Sequence, residues 1–504
     1  MKIKMSLIYT SIFLLAFTSC KSSEAQSRQK LVNESKDKII EENKWIAATI
    51  ESAMIENNIP AVSISVVRGG AISYVDEFGI MKRGSEKKID KNSMYELASI
   101  AKTFTGIITN YLIDEGKLNL EEPIITYLDN VLTKEAKENL KNVQLKHLMS
   151  HTAGIPHRLC SIYNKQESNY TKGYTEQEFI NDLNKIVLNS EPGEKFSYSS
   201  SGYNIAGYIC ELVSGQSYDE LLREYVTGRS IKYGMKNTVI SLNEKQTNNL
   251  VTAYRPENRS KPANVKTDWG KAVPASGTYS TVTDLSKLAI VQMRAYQDYK
   301  TNGIRTPLIL TDFDEITGDY GLGLIKGEKE NYTFYVNEGN NNGFRTLYLL
   351  FPDYDIALIL FTSSGGPWMG PLATEIYHKL IEMPYSKPKK SLAQSFIDII
   401  QNENMETGIQ FFNKHKALGT YYLSEAEMNQ VGYALLKMDR IKDAIEAFKL
   451  NVVEFPKSSN AYDSLAEAYL KNGNKKQALL NYEKSLELDP KNENAKNIIM
   501  KLKL

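Results

Sequence analysis

Cysteine is scarce in this chain, with three in 504 residues, too few for a disulfide framework. Cys20 closes an apolar leader, which leaves Cys160 and Cys210 either to pair in an oxidising compartment or to stand as two buried thiols. Histidine is nearly as rare, at five, and no His/Cys/Asp grouping has the spacing of a metal site. No glycine-rich phosphate loop occurs, so neither a metal nor an organic cofactor is expected. Charge of one sign is missing as well. With 61 basic and 60 acidic residues and a net charge of +1, there is no electrostatic case for a nucleic-acid partner. The apolar run that ends at Phe17 is too short for a good membrane-spanning helix.

What is present begins with a leader. Met-Lys-Ile-Lys-Met, the apolar run and Thr-Ser-Cys20 have the layout of a secretory signal over residues 1–20. Its end, Leu-Ala-Phe-Thr-Ser-Cys20, resembles a bacterial lipoprotein processing site, with Cys20 as the lipidated residue; a plain signal peptide cleaved elsewhere is the alternative. Several acyl chains on Cys20 would give stable attachment to a membrane surface. The expected location is therefore the bacterial cell envelope, lipid-anchored, facing the periplasm or the outer surface. Residues 21–37, rich in Lys, Ser, Glu and Gln, read as a flexible tether.

Beyond the tether the periodicities change. Ile39, Ile40, Trp45, Ile46, Ile50 and Met54 predict an amphipathic helix over 38–57. Val62–Val67, the Gly69-Gly70 turn and Ala71–Val75 predict a hairpin. Phe344–Phe351 and Ile356–Phe361 predict another, turning at Pro352–Asp355, with a helix following over 371–381. Strands at both ends and a helical middle imply an α+β domain: one antiparallel sheet with a helical subdomain inserted into it.

The chemistry is concentrated in Tyr95-Glu-Leu-Ala-Ser99-Ile-Ala-Lys102-Thr-Phe-Thr105-Gly. Ile100, Phe104, Ile107, Ile108, Tyr111 and Leu112 recur at helical spacing and Gly116 follows as a stop. Ser99 then lies near a helix start, with Lys102 one turn on and on the same face. A buried lysine of lowered pKa can take the proton of a serine hydroxyl, and the helix N-terminus favours an adjacent oxyanion. Ser-x-x-Lys alone is weak, since it also begins at Ser27, Ser35, Ser85 and Ser386. Ser99 as an ordinary N-cap and Lys102 as a solvated side chain is the reading that ignores the flanking sequence.

Four further stretches lend weight to the pair. They are Leu145-Lys-His-Leu-Met-Ser-His151-Thr-Ala-Gly-Ile-Pro, Pro192-Gly-Glu-Lys-Phe-Ser-Tyr198-Ser-Ser200-Ser-Gly-Tyr, Gly234-Met-Lys-Asn-Thr, and Pro274-Ala-Ser-Gly-Thr-Tyr-Ser-Thr-Val-Thr-Asp284-Leu. As an ordered set over about residues 40–380, these stretches make the chain resemble the serine β-lactamase and penicillin-binding-protein superfamily, in its class C-like branch. The resemblance implies the β-lactamase/transpeptidase-like fold and a catalytic trio of Ser99, Lys102 and Tyr198. Ser200 stands where the family's Tyr-x-Asn motif has Asn, and lacks that amide's donor. The third motif, Lys-Thr-Gly or His-x-Gly in the family, corresponds to Asn337-Glu338-Gly339, with Asn340 as the source of a second oxyanion N–H. These residues and Ser200 are the expected substrate and oxyanion contacts. The family's cation or imidazole is absent, so substrates bearing a carboxylate are expected to be poorly held; Arg345 and Arg158 are candidate substitutes. His151 is assigned a structural role, and His147 and His157 have no identifiable partner.

After residue 384 the composition shifts again. Residues 385–390 read as a linker and 391–504 as a helical repeat tail. Met428, Val431, Gly432, Leu435, Ala444, Phe448 and Pro456 recur as Tyr462, Leu465, Ala466, Tyr469, Ala478, Tyr482 and Pro490, the 34-residue period of tetratricopeptide (TPR) repeats. Residues 391–422 fit a degenerate first repeat, and the tail is expected to dock on the domain at 38–384. Two functions follow. One is an envelope serine hydrolase acting through an acyl-enzyme on β-lactam, D-amino-acid peptide or short-ester substrates. The other is a non-catalytic scaffold lipoprotein that uses its tail for a protein partner. Retention of Ser99, Lys102 and Tyr198 together favours the enzyme.

Overall fold

The computed structural model describes residues 37–503 except 160–172, 229–233, 256–257, 264–267, 309–319, 322, 330–331, 367 and 385–388. The leader, Cys20, most of the tether, Cys160 and most of the 385–390 linker lie outside the described residues. The chain divides into two compact units between Ser52 and Ala53. In the first, residues 37–52 are helical, as the amphipathic pattern predicts.

The second unit is built on a seven-stranded antiparallel sheet. Its strands are β1 (Ala61–Arg68), β2 (Ala71–Gly79), β3 (Tyr320–Gly321), β4 (Leu324–Lys329), β5 (Tyr332–Asn341), β6 (Phe344–Phe351) and β7 (Ile356–Thr362). Their order is β2-β1-β7-β6-β5-β4-β3. The two hairpins legible in the sequence meet at the centre, with Val62 opposite Thr362 and Val66 opposite Leu358. Both β1 and β7 are buried almost end to end, so they read as near-continuous apolar runs instead of alternating ones. Ala357, Ile359 and Phe361 join the main core, and the helix Met369–Leu380 packs against β7. A long helix, Val282–Asn302, packs on β1 and β7 and is pinned by polar pairs, Ser286 Oγ to Ser65 Oγ at 2.7 Å and Tyr348 Oη to Gln292 Oε1 at 2.6 Å.

The helical insertion leaves and rejoins at a two-residue pairing of Tyr95–Glu96 with Tyr279–Ser280. Within it, α1 (Ala101–Asp114) packs on α2 (Ser200–Ser214). Gly116, at φ 72°, ends α1 as its position suggests. Cys210 lies in this contact as a free, fully buried thiol 3.6 Å from Thr109 Oγ1, and burial pushes its pKa up to about 12.

The tail forms helical hairpins: Leu392–Asn402 with Met405–Leu418, Glu425–Lys437 with Ile441–Glu454, and Ser459–Lys471 with Lys475–Leu488, followed by Glu493–Lys503. The small residues lie where paired helices cross, because a Cβ on Gly432 would run into the Phe448 ring, and one on Gly408 into Ile400 and Phe396. The degenerate first hairpin thus repeats the packing device of the clear ones. The tail meets the sheet domain at Lys390, whose Nζ lies 3.8 Å from Glu56 Oε1, and near Arg345, whose charge acts on the Glu427 carboxyl. Among the described residues no helix is long and apolar enough to cross a membrane, and no group of His, Cys, Asp or Glu could hold a metal ion.

Candidate active site

Ser99 sits in a single 3₁₀ turn, Ala98–Ile100, that runs directly into α1. Ala98 before it has φ 50°, a left-handed conformation costly for a residue with a Cβ. The turn is held from both sides: Leu97 N–H donates to Thr278 O at 2.8 Å, and Leu97 O accepts from Thr346 Oγ1 at 2.9 Å. β5 crosses so near that a Cβ on Gly339 would collide with Leu97 O, so only glycine fits there. A Cβ on Gly323, at φ 91°, would likewise collide with Lys102 O.

Two side chains converge on the serine hydroxyl. Lys102 Nζ lies 3.2 Å and Tyr198 Oη 2.9 Å from Ser99 Oγ. Lys102 is fully buried, donates to Ala275 O at 2.8 Å, and lies 5.0 Å from the centroid of the Tyr198 ring. Burial holds the Lys102 ammonium below its ordinary pKa, with Tyr198 working in the opposite direction. Asn204, on α2, fixes the lysine's acceptor by taking Ala275 N–H on its Oδ1 at 3.1 Å. Nothing in the sequence singles out Asn204 or the Ala275 carbonyl, because both act through a contact between distant segments.

The third motif divides by strand alternation. Asn337 and Gly339 face inward and are buried, whereas Glu338 and Asn340 are exposed. Asn337, expected at the substrate, instead turns its amide onto the backbone that supports Ser99. Its Nδ2 lies 3.0 Å from Ser99 O, 3.0 Å from Thr103 Oγ1 and 2.8 Å from Gly323 O. Asn340 lies on the open face of β5, paired in register with Arg345. Glu96, fully buried, holds the turn that follows through Asn341 Nδ2 at 2.5 Å and Asn342 Nδ2 at 3.4 Å. Arg345 is engaged by Gly366 O and Glu338, each at 2.8 Å.

Ser200 is the first residue of α2, buried, with its N–H on His157 Nδ1 at 3.3 Å. His151 is buried against Tyr198, with ring centroids 4.3 Å apart. His147 also has a partner, since its Nδ1 accepts Gln144 N–H at 3.1 Å and closes a capping box on the helix Leu145–Met149.

A serine at a strained helix start, served by a buried lysine and a tyrosine from the helical insertion and backed by a glycine-bearing antiparallel strand, defines the β-lactamase/transpeptidase-like class. The β-lactamase family model matches residues 46–380, and the chain belongs to that family. A tetratricopeptide repeat model matches residues 459–492. Among similar proteins, the Protein flp of Staphylococcus aureus strain MW2 is 23% identical over 347 residues, 67% of this chain and 66% of its own length. The Protein flp of strain N315 is 22% identical over 343 residues, 66% and 65% of the two chains. A β-lactamase of Pseudomonas fluorescens is 26% identical over 221 residues, 44% of this chain and 56% of the relative. The chain thus spans somewhat less than two thirds of the length of the relatives named flp.

Proposed function

We propose that the protein is a serine hydrolase working through an acyl-enzyme on Ser99. The observation that carries this reading is the convergence of Lys102 Nζ and Tyr198 Oη on Ser99 Oγ, at 3.2 and 2.9 Å. Ser99 Oγ attacks the substrate carbonyl carbon and its proton passes into the Lys102–Tyr198 pair. That pair then returns a proton to the departing nitrogen or oxygen. Lys102 and Tyr198 share a short path to one oxygen, so they act as a coupled pair, not as one base with a spectator. The N–H groups of Ser99 and Asn340 receive the oxyanion, and water, activated by the same pair, releases the acyl group.

Substrates in this proposal are β-lactams, D-amino-acid peptides or amides, or short esters, with neutral acyl groups favoured. The Asn337 amide is spent on Ser99 O, and Arg345 is tied to Glu338. Neither is positioned as an open cation site for a substrate carboxylate. Cys20 places the mature protein on an envelope membrane surface, and the repeat tail supplies a surface for a protein partner.

Intact-mass spectrometry tests the reading on a soluble form lacking residues 1–20, incubated with a penicillin, a cephalosporin or an activated ester, with Ser99→Ala as control. A Ser99-dependent adduct that forms and clears is the expected result. Absence of any adduct would favour the scaffold reading.

A further inference from the structure

We propose that His151 and His157 are a pair of positioning residues: two neutral imidazoles that cap the start of α2 and hold Tyr198 on Ser99. This rests on the reading of Tyr198 given above. The backbone donors around Tyr198 end on these two histidines. Ser197 N–H donates to His151 O at 2.7 Å, and Ser199 N–H donates to His151 Nδ1 at 3.1 Å. Ser200 N–H donates to His157 Nδ1 at 3.3 Å, and Ser201 N–H donates to His157 O at 3.2 Å. The residues on both sides of Tyr198 are therefore bound by the two histidines. The tyrosine ring lies between the two imidazoles, at centroid distances of 4.3 and 5.4 Å.

A helix start leaves several N–H groups without intrahelical acceptors. The N-cap Ser199 hydroxyl takes only one of them, Gly202 N–H at 3.0 Å. The imidazoles take Ser199 and Ser200 N–H, which dictates their chemistry. A ring whose Nδ1 accepts carries its proton on Nε2 and is neutral. An imidazolium would turn an N–H toward an N–H and open the clamp.

His151 bears two costs for this position. Its φ is 58°, and its Nε2 is buried with no hydrogen-bond partner among the described residues. The groups facing the rings are Lys102, Tyr198, Tyr203, Tyr320 and Arg158, together with each other's imidazole. Burial and the nearby cations keep His151 well below the ordinary histidine pKa. The same causes bring His157 down to about 4, although this ring is exposed on one side, where water screens the effect. The clamp thus orients Tyr198 without placing a second positive charge beside Lys102.

Two measurements test the clamp. Nitrogen-15 imidazole NMR on the chain lacking residues 1–20 has only five histidines to resolve, and His151→Asn and His157→Asn assign the two signals. Both rings are expected as the neutral Nε2–H tautomer at pH 7; an Nδ1–H tautomer or an imidazolium at either would overturn the proposal. This readout needs no substrate, so it decides the clamp even if Ser99 is never acylated, the outcome that would sink the function instead.

The second measurement is acylation by the activated ester. His157→Leu is expected to lower kcat about ten- to a hundredfold, the scale of a misplaced catalytic group, with KM little changed. His157→Asn returns an acceptor near the Nδ1 position and is expected to recover most of the loss. At His151 the pair is again Leu and Asn, because Asn also tolerates the left-handed backbone. In a Tyr198→Phe background His157→Leu should cost almost nothing more. Equal losses in the Leu and Asn variants, or full additivity with Tyr198→Phe, would refute the clamp.

Discussion

Gly339 lies against Leu97 so closely that the Cβ of any side chain on it would come within 2.0 Å of the Leu97 carbonyl oxygen. This contact sets the distance between the sheet and the turn that presents Ser99. Gly339→Ala must push β5 or the turn aside, at a cost of about 1–3 kcal/mol for overpacking. The expected result is a lowered melting temperature together with slowed Ser99 acylation, both measurable on the same preparation. An alanine variant as stable and as fast as the parent would show that the contact does not hold the turn.

Asn337 buttresses Ser99 from inside. Asn337→Leu removes the donor that Ser99 O and Gly323 O share, while Gly323 O keeps Thr103 Oγ1 and Ser99 O keeps Ala101 N–H, so the loss is that of buried hydrogen bonds, about 0.5–1.5 kcal/mol each. Urea unfolding should register this loss. Asn337→His tests the other side of the argument: if the missing imidazole is what disfavours β-lactams, their turnover should rise, and unchanged turnover would count against that account.

The pH profile of acylation follows from Lys102. Its pKa is lowered from the ordinary 10.5, chiefly by burial, so the neutral, proton-accepting form appears at lower pH than for a solvated lysine. The single-turnover acylation rate is expected to rise with pH, with its midpoint below 10.5. Lys102→Met and Tyr198→Phe should each lower the rate by about 10²–10⁴-fold, and the double variant by far less than the product. Multiplicative losses would separate the two groups.

Stability should carry an opposite pH signature from Glu77. Its carboxyl is largely buried beside the Ser63 hydroxyl, with Asp76 and Asp90 near, and burial raises its pKa from 4.5 to about 8. The folded protein therefore holds a proton that the unfolded chain releases. Its contribution is full below about pH 4.5 and is lost as pH rises toward 8. Thermal melts of Glu77→Gln should match the parent near pH 5 and exceed it near pH 8.5. Parallel curves for the two proteins at all pH values would exclude a protonated Glu77.

Much of this was legible in the linear chain because it depends on short-range periodicity. The strands at both ends, the helix start with Ser99 and Lys102 one turn apart, and the paired small and aromatic residues of the tail repeats all follow from residues within one or two turns of each other. The direction of a side chain on β5 is a different matter. Asn337 matches a substrate-facing motif in sequence, yet it bonds to Ser99 O because the register of β5 turns it inward. His151 reads from the sequence only as structural and His157 as without a partner, since the acceptors of both matter only once the start of α2 is folded onto them. Local propensity and spacing determined the elements and the Ser99–Lys102 pair. Contacts between segments far apart in the chain decided the rest, because a hydrogen bond across the fold leaves no period in the sequence.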